Sequence, residues 1–168
     1  MELDAHGATE AAVLVPLYGW PENPGLVFTE RRADLRRHAG EISFPGGRRD
    51  PGEELLDTAL REAEEEIGLH PDAVEIVGAL PPVGTFVTSY KVHPFVGRIE
   101  PGLSFEPNPA EVESVLLASI DDLVSGYAKR RLIRRGVPIK SDSYLISDKL
   151  IWGATARILR QLLERLRP

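Results

Sequence analysis

Within the stretch GGRRDPGEELLDTALREAEEEIGL, Gly46 to Leu69, stand six glutamates, and Glu62, Glu64, Glu65 and Glu66 crowd into the last turns before Gly68. On a helix, Glu62, Glu65 and Glu66 fall at i, i+3 and i+4, so their carboxylates converge along one flank. Each like-charged pair costs about 0.2–0.5 kcal/mol. The negative end of the helix dipole adds about 0.3–1 kcal/mol against each anion. Arg61 can neutralise at most one of these carboxylates well. The cluster therefore works against the helix that carries it, which implies that a cation from outside the chain completes the site. Oxygen donors of this kind suit a hard divalent ion such as magnesium, manganese or calcium. The glutamate run alone also fits a solvated acidic face, so the surrounding pattern has to decide.

The helix is legible from its end signals. Asp50 reads as a side-chain cap, Pro51 as the first helical residue, Glu53 as the capping-box partner and Gly68 as the left-handed stop, which predicts a helix over 51–67. Leu56, Ala59, Leu60, Ala63 and Ile67 recur at spacings of three and four and make one apolar stripe to bury. Strands are predicted at 11–18 and 25–30, joined as a hairpin by the turn-rich GWPENPG, and again at 73–80, 91–99, 113–120 and 139–147. The segment PPVGTFVTS, 81–89, is a candidate substrate loop. A short helix is expected at 121–125, and an amphipathic one at 152–166 with Ile158, Leu159, Leu162 and Leu166 on its apolar side. The charged KRRLIRRGVP, 129–138, reads as a helix end or a loop. Strands interleaved with two long helices predict an α+β chain in which a mixed sheet packs between helices.

At 168 residues the chain has the size of one domain, expected over 1–168, large enough to bury about two thirds of its unfolded surface. Its 42% hydrophobic and 27% charged content is that of a globular protein, and no apolar run reaches the length of a membrane span. MELDAHGATE has no basic-then-apolar pattern of a secretion signal, so the expected location is the cytoplasm. Without cysteine there are no disulfides, no thiolate chemistry and no Cys-ligated zinc. A formal charge of −6 argues against a general nucleic-acid binder, because no basic field attracts a phosphate backbone. The local distribution says more. Arg31, Arg32, Arg36, Arg37, Arg48 and Arg49, with His38, lie just before the acidic helix. A basic segment beside an acidic one suits a phosphorylated, metal-dependent small-molecule ligand, its phosphates held directly by cations and through metal by carboxylates.

Gly47, Glu53 and the run Arg61-Glu62-Ala63-Glu64-Glu65-Glu66-Ile67-Gly68-Leu69 together resemble the Nudix box of the Nudix hydrolases, with its spacing met throughout. Ala63 stands where a larger aliphatic is commoner, yet keeps the stripe apolar. The resemblance implies a Nudix-type α/β/α sandwich with a mixed β-sheet between helices, and hydrolysis of a nucleoside diphosphate linked to another moiety. Carried over by position, it implies Glu62, Glu65 and Glu66 as ligands of Mg²⁺ or Mn²⁺, with the Gly47 carbonyl as a further ligand. Glu53 and Arg61 then become supporting residues. For the base that takes the proton of the attacking water, Glu65 and Glu111 are both candidates.

The stretch VFTERRADLRRHAGEISFPGG, 27–47, also resembles the segment that marks coenzyme A pyrophosphatases, through Thr29, Arg31, Leu35, Arg36, His38, Gly40, Phe44, Pro45, Gly46 and Gly47. Arg32 stands where a serine is usual, and DKLIWGATARIL, 148–159, has the look of the same subfamily. This implies cleavage of coenzyme A, or an acyl or oxidised form, to adenosine 3′,5′-bisphosphate and (acyl-)4′-phosphopantetheine. Arg31, Arg36, Arg37, His38 and Phe44 become candidate substrate-binding residues, the cations meeting the extra 3′-phosphate. For Phe44 packing beneath the loop is the competing role. The alternatives are a Nudix pyrophosphatase of ADP-ribose, NADH or nucleoside triphosphates, and a non-catalytic nucleotide-sensing module. Neither nucleic acid nor membrane is an expected partner, and the oligomeric state stays open, a homodimer included.

Overall fold

The computed structural model describes residues 9–36, 40–85, 89–134 and 136–166. Strand β1, Thr9–Tyr18, is apolar on both faces and sorts its side chains by parity. Ala12 and Leu14 enter one core with Val27, Ala59, Ala63 and Ile67. Val15 and Leu17 enter the other with Leu26, Phe28, Ile158, Leu159 and Leu162. Two cores on opposite faces of one sheet need a cover on each side, and the two long helices supply it.

The strands in chain order are β1, β2 (Gly25–Arg31), β3 (Ile42–Ser43), β4 (Gly46–Arg48), β5 (Glu75–Ala79), β6 (Val83–Gly84), β7 (Tyr90–Ile99), β8 (Val112–Ser119), β9 (Tyr127–Arg134), β10 (Val137–Ile146) and β11 (Lys149–Ile151). The helices are α1 (Leu55–Ile67), α2 (Ile120–Ser125) and α3 (Gly153–Leu166). Among the described residues the main sheet runs β3-β2-β1-β7-β5, with β4 added to β1, β6 to β7 and β8 to β2. β1 pairs β7 in parallel from Thr9↔Tyr90 to Tyr18↔Ile99 and pairs β2 and β4 antiparallel, so the sheet is mixed, as expected. β1 and β2 form the expected hairpin, Leu17 opposite Leu26. A second sheet, β11-β10-β9, is not hydrogen-bonded to the first and shares one of its cores through Tyr144 and Ile151. The architecture is α+β, a mixed sheet packed between helices, as expected.

Several boundaries differ from the sequence reading. α1 starts at Leu55, with Glu54 as its cap residue making no side-chain cap bond. Pro51 and Gly52 instead sit at the centre of a turn closed by the Glu53 N–H on the Asp50 carbonyl at 3.0 Å, with Gly52 at φ +79°. Only glycine takes that φ without strain, so the helix cannot begin before it. At the other end Gly68 adopts the left-handed stop at φ 70°. Of the 129–138 segment, residues 129–134 lie in β9 and 137–138 begin β10, contrary to the helix-end or loop reading. Alternate residues of β9 turn inward, and Arg130 satisfies buried Ser143 with a 2.7 Å bond. α3 buries Ile158, Leu159 and Leu162 as expected.

Candidate active site

β4 lies against β1, with Gly46, Gly47 and Arg48 opposite Val13, Ala12 and Ala11, and this fixes the loop that leads into α1. Ala59, Ala63 and Ile67 anchor α1 on the sheet. The burial of these side chains sets the helix's rotation, and with it the direction of the carboxylates on the flank. Gly47 lies directly beneath Glu62. A Cβ placed on it comes within 2.6 Å of the Glu62 carboxyl carbon, so only glycine leaves that carboxylate its seat.

Arg61 ties the flank together. Its Nε and Nη2 donate to the two oxygens of Glu53 at 2.8 and 3.1 Å, a bidentate pair. Nη1 donates once to Glu62 at 3.0 Å and once to Glu65 at 3.2 Å, and Nη2 also reaches the Arg48 carbonyl at 3.2 Å. The carboxylate that Arg61 neutralises best is thus Glu53, outside the Glu62, Glu65, Glu66 triplet. Arg61, then the Thr58 hydroxyl, hold the Glu53 carboxyl down to about 2. Thr58 is fully buried and donates to Glu53 at 2.6 Å, a support the sequence reading missed.

Glu66 is in the opposite condition. Burial first, then the charge of Glu62 and more weakly that of Glu111, push its carboxyl up to about 8, against the Gly46 N–H bonded to it at 3.2 Å and the cation of Arg31. Burial also raises Glu62, with Glu65 and Glu111 adding to the rise and Arg61 opposing it. Glu65 is 56% exposed, against 17% for Glu62. Among the described residues no group of three or more His, Asp or Glu side chains is drawn tightly enough to enclose a metal. Glu62 and Glu65 each turn one oxygen onto Arg61. The donor set still fits a divalent cation. It is all oxygen, the charge of Glu65 raises Glu62 and that of Glu62 raises Glu66, and a bound cation relieves the same repulsion a proton does.

The other expected site residues fall out unevenly. Arg31 ends β2 near enough for its charge to act on Glu66, and Arg36 is exposed in the following loop. Arg37 and His38 lie outside the described residues. Glu111 is exposed, and its charge reaches Glu62 and Glu66. Phe44 is corrected: it is 2% exposed and stacks on Phe28 with ring centroids 4.6 Å apart, so it packs beneath the loop and presents no face to a ligand. Of the 81–89 segment, Val83 and Gly84 form β6 on β7, the Gly84 carbonyl accepts from Arg157 on α3, and 86–88 lie outside the described residues. Beside Gly40 to Ile42 opens a cavity of about 480 Å³ that includes Arg134, Lys149 and Trp152, the Arg134 guanidinium 4.2 Å above the Trp152 ring. A more apolar hollow of about 330 Å³ at Leu17, Trp20 and Leu162 lies at the far end of β1 from Ala12 and has no carboxylate in its lining.

Known proteins resemble this chain in both sequence and fold. The family described as NUDIX domain matches residues 9–136. The uncharacterized Nudix hydrolase NudL of Photorhabdus laumondii is 40% identical over 159 residues, covering 93% of this chain and 84% of that protein. The protein of the same name from Escherichia coli O139:H28 is 40% identical over 156 residues, 91% of this chain and 80% of its own. Among solved structures, a Nudix hydrolase from M. smegmatis, RenU, superposes with a TM-score of 0.65 at 17% identity, over 96% of this chain and 89% of its own. The NUDIX domain of Shewanella oneidensis NrtR, solved with ADP ribose, gives 0.61 at 14% identity, over 96% and 90%. No helix among the described residues is long and apolar enough to cross a membrane.

Proposed function

The chain belongs to the Nudix family and is a Nudix hydrolase of pyrophosphate bonds, and on that premise we propose that it cleaves coenzyme A, or an acyl or oxidised form, to adenosine 3′,5′-bisphosphate and the matching 4′-phosphopantetheine. The observation that supports the substrate assignment is the position of Arg31 and Gly46 relative to Glu66. β2 delivers Arg31 to Glu66, and the same segment returns through β3 to Gly46, whose N–H binds Glu66. Arg31, the first cation of the stretch that resembles the coenzyme A pyrophosphatases, thus acts on the carboxylates, which supports a substrate with one phosphate beyond its pyrophosphate.

In this reading Glu62, Glu65, Glu66 and the Gly47 carbonyl hold Mg²⁺ or Mn²⁺. The ion's contribution is to neutralise the phosphoanhydride and acidify water beside it. The chain does the rest by position. Gly47 keeps the space that Glu62 fills. Arg61 fixes one oxygen each of Glu62 and Glu65, and Glu53 fixes Arg61. The Arg31, Arg36, Arg37 and His38 side chains hold phosphates, and Glu65 or Glu111 accepts the proton of the attacking water.

The test is product identification after incubation with Mg²⁺ or Mn²⁺ and, separately, coenzyme A, ADP-ribose, NADH and dGTP. Adenosine 3′,5′-bisphosphate released fastest from coenzyme A supports the assignment. Faster turnover of ADP-ribose or NADH moves the substrate and leaves the metal site standing. No turnover of any of them makes a nucleotide-sensing module the better reading.

A further inference from the structure

We infer that Arg32 is a positioning residue that holds the loop carrying Glu111 against Glu62 and Glu66. The inference rests on the reading of Glu111 as a working part of the site. The loop 106–111 lies between β7 and β8, and it is hung from two sides. On the helix side, the Glu106 N–H donates to the Ile67 carbonyl and the Asn108 N–H to the Glu66 carbonyl, both at 2.8 Å. These are carbonyls of the last turn, which have no partner within a helix. Asn108 then closes the loop on itself, its side-chain oxygen taking the Ala110 N–H at 3.0 Å and its carbonyl the Glu111 N–H at 3.1 Å.

The second side is Arg32 alone among the described contacts of this turn with the 32–36 segment. Its N–H donates to the Glu111 carbonyl at 3.0 Å, and its Nη1 to the Pro109 carbonyl at 2.9 Å. Asp34 fixes the guanidinium through Nε at 2.9 Å and through Nη2. The β2–β8 register shifts between Glu30 and Arg31, a bulge of the kind that re-aims side chains beside a site. Consecutive arginines consequently serve different ends: Arg31 acts on Glu66, and Arg32 grips the backbone that carries Glu111. With Nε, Nη1 and Nη2 all engaged, Arg32 has few donors left for a phosphate.

Loss of the guanidinium leaves the main-chain bond to Glu111 in place but frees Pro109, so the loop keeps its course and loses its fixed distance from the helix. Misplacement of a reacting group by about 1 Å costs up to about a hundredfold in rate. The experiment uses the substrate turned over fastest by the wild type, whichever it is, so that a wrong substrate assignment leaves it intact. Arg32→Ala, Arg32→Lys, Glu111→Gln and the Arg32→Ala/Glu111→Gln double variant are compared with saturating Mg²⁺, after thermal melts confirm folding. The expected result is a fall of kcat by about tenfold in Arg32→Ala with KM within about twofold, and little further loss when it is added to Glu111→Gln. Arg32→Lys, which cannot span Asp34 and Pro109 together, recovers less than half of the loss. A raised KM with unchanged kcat makes Arg32 a direct substrate contact and overturns the inference. So do independent effects of Arg32→Ala and Glu111→Gln, an unchanged Arg32→Ala, or a fully active Glu111→Gln.

Discussion

The condition of Glu66 makes a prediction that needs no substrate. Its carboxyl is raised from 4.5 to about 8 in the folded protein, chiefly by burial. The folded state therefore holds a proton that the unfolded state gives up between those two values. Stability without metal is full below about pH 4.5, declines as pH rises through the interval and levels off above about pH 8. At about 1.4 kcal/mol per pKa unit the rise corresponds to a ceiling of about 5 kcal/mol. Relaxation and water entry around a partly covered group reduce this, and about 2–3 kcal/mol is the expected change. Glu66→Gln removes the titration while keeping an oxygen to accept the Gly46 N–H.

The assay is urea unfolding of wild type and Glu66→Gln in EDTA at intervals from pH 5.5 to 8.5. All other groups titrate in both proteins, so the difference between the two curves isolates Glu66 and its repulsion with Glu62 and Glu111. The variant should gain on the wild type as pH rises and be the more stable protein at pH 8.5. Mg²⁺ should reverse the order at that pH, because it stabilises only the protein that binds it, by about 2.7 kcal/mol at a hundredfold excess over Kd. Parallel pH curves for the two proteins in EDTA would falsify the reading of Glu66 as a buried acid held protonated by its surroundings.

Other substitutions separate packing from chemistry. Gly47→Ala brings a Cβ to within 2.6 Å of the Glu62 carboxyl carbon, and it should lower kcat/KM by about 10–100-fold and weaken Mg²⁺ binding measured by calorimetry. Phe44→Leu should cost about 1–2 kcal/mol in urea unfolding through loss of the stack on Phe28 and leave KM within about twofold, whereas a large KM change would restore Phe44 as a ligand contact. Arg61→Lys keeps the charge but cannot make the bidentate pair with Glu53 while reaching Glu62 and Glu65, so kcat should drop by about a hundredfold at saturating Mg²⁺ with the secondary structure unchanged by circular dichroism.

How far the site could be read in advance depended on the distance over which its parts communicate. The apolar stripe, Gly68 and the three glutamates are local: each is fixed by the helical repeat, and α1 carries them as expected. The helix start misled because Asp50, Pro51 and Glu53 suit a cap and a tight turn equally well, and Gly52 decides between them only through its φ of +79°. β9 was hidden because Lys129, Arg130 and Arg131 mask a period of two, and the inward role of Arg130 needs Ser143 on the next strand. Phe44, set among glycine and proline, invites a ligand-contact reading until Phe28 is placed beside it. Arg32 showed in sequence only as one cation of the basic run and as a departure from the usual serine, and its role was hidden because the carbonyl it holds is 77 residues away.

These differences share a cause that bears on how the site is stabilised. Residues that conflict with their own helix, Glu62, Glu65 and Glu66, are conspicuous in sequence because the conflict is local. Arg61 on the same helix offsets part of the conflict, and the rest is met from elsewhere: Gly46 donates from β4, Gly47 leaves room for Glu62, and the charge of Arg31 acts from β2. Each meets α1 only after β1 has brought β4 and β7 together beneath the helix. The repulsion among the carboxylates is thus sustained by sheet packing and not by helix propensity. A core substitution remote from the carboxylates tests this: Leu14→Ala, at a fully buried position beneath α1, should cost about 2–5 kcal/mol in unfolding. If α1 rests on the sheet as argued, the same variant should also bind Mg²⁺ more weakly at a temperature where it is still folded. Unchanged Mg²⁺ affinity in a folded Leu14→Ala protein would show instead that loop and helix hold the carboxylates without the sheet.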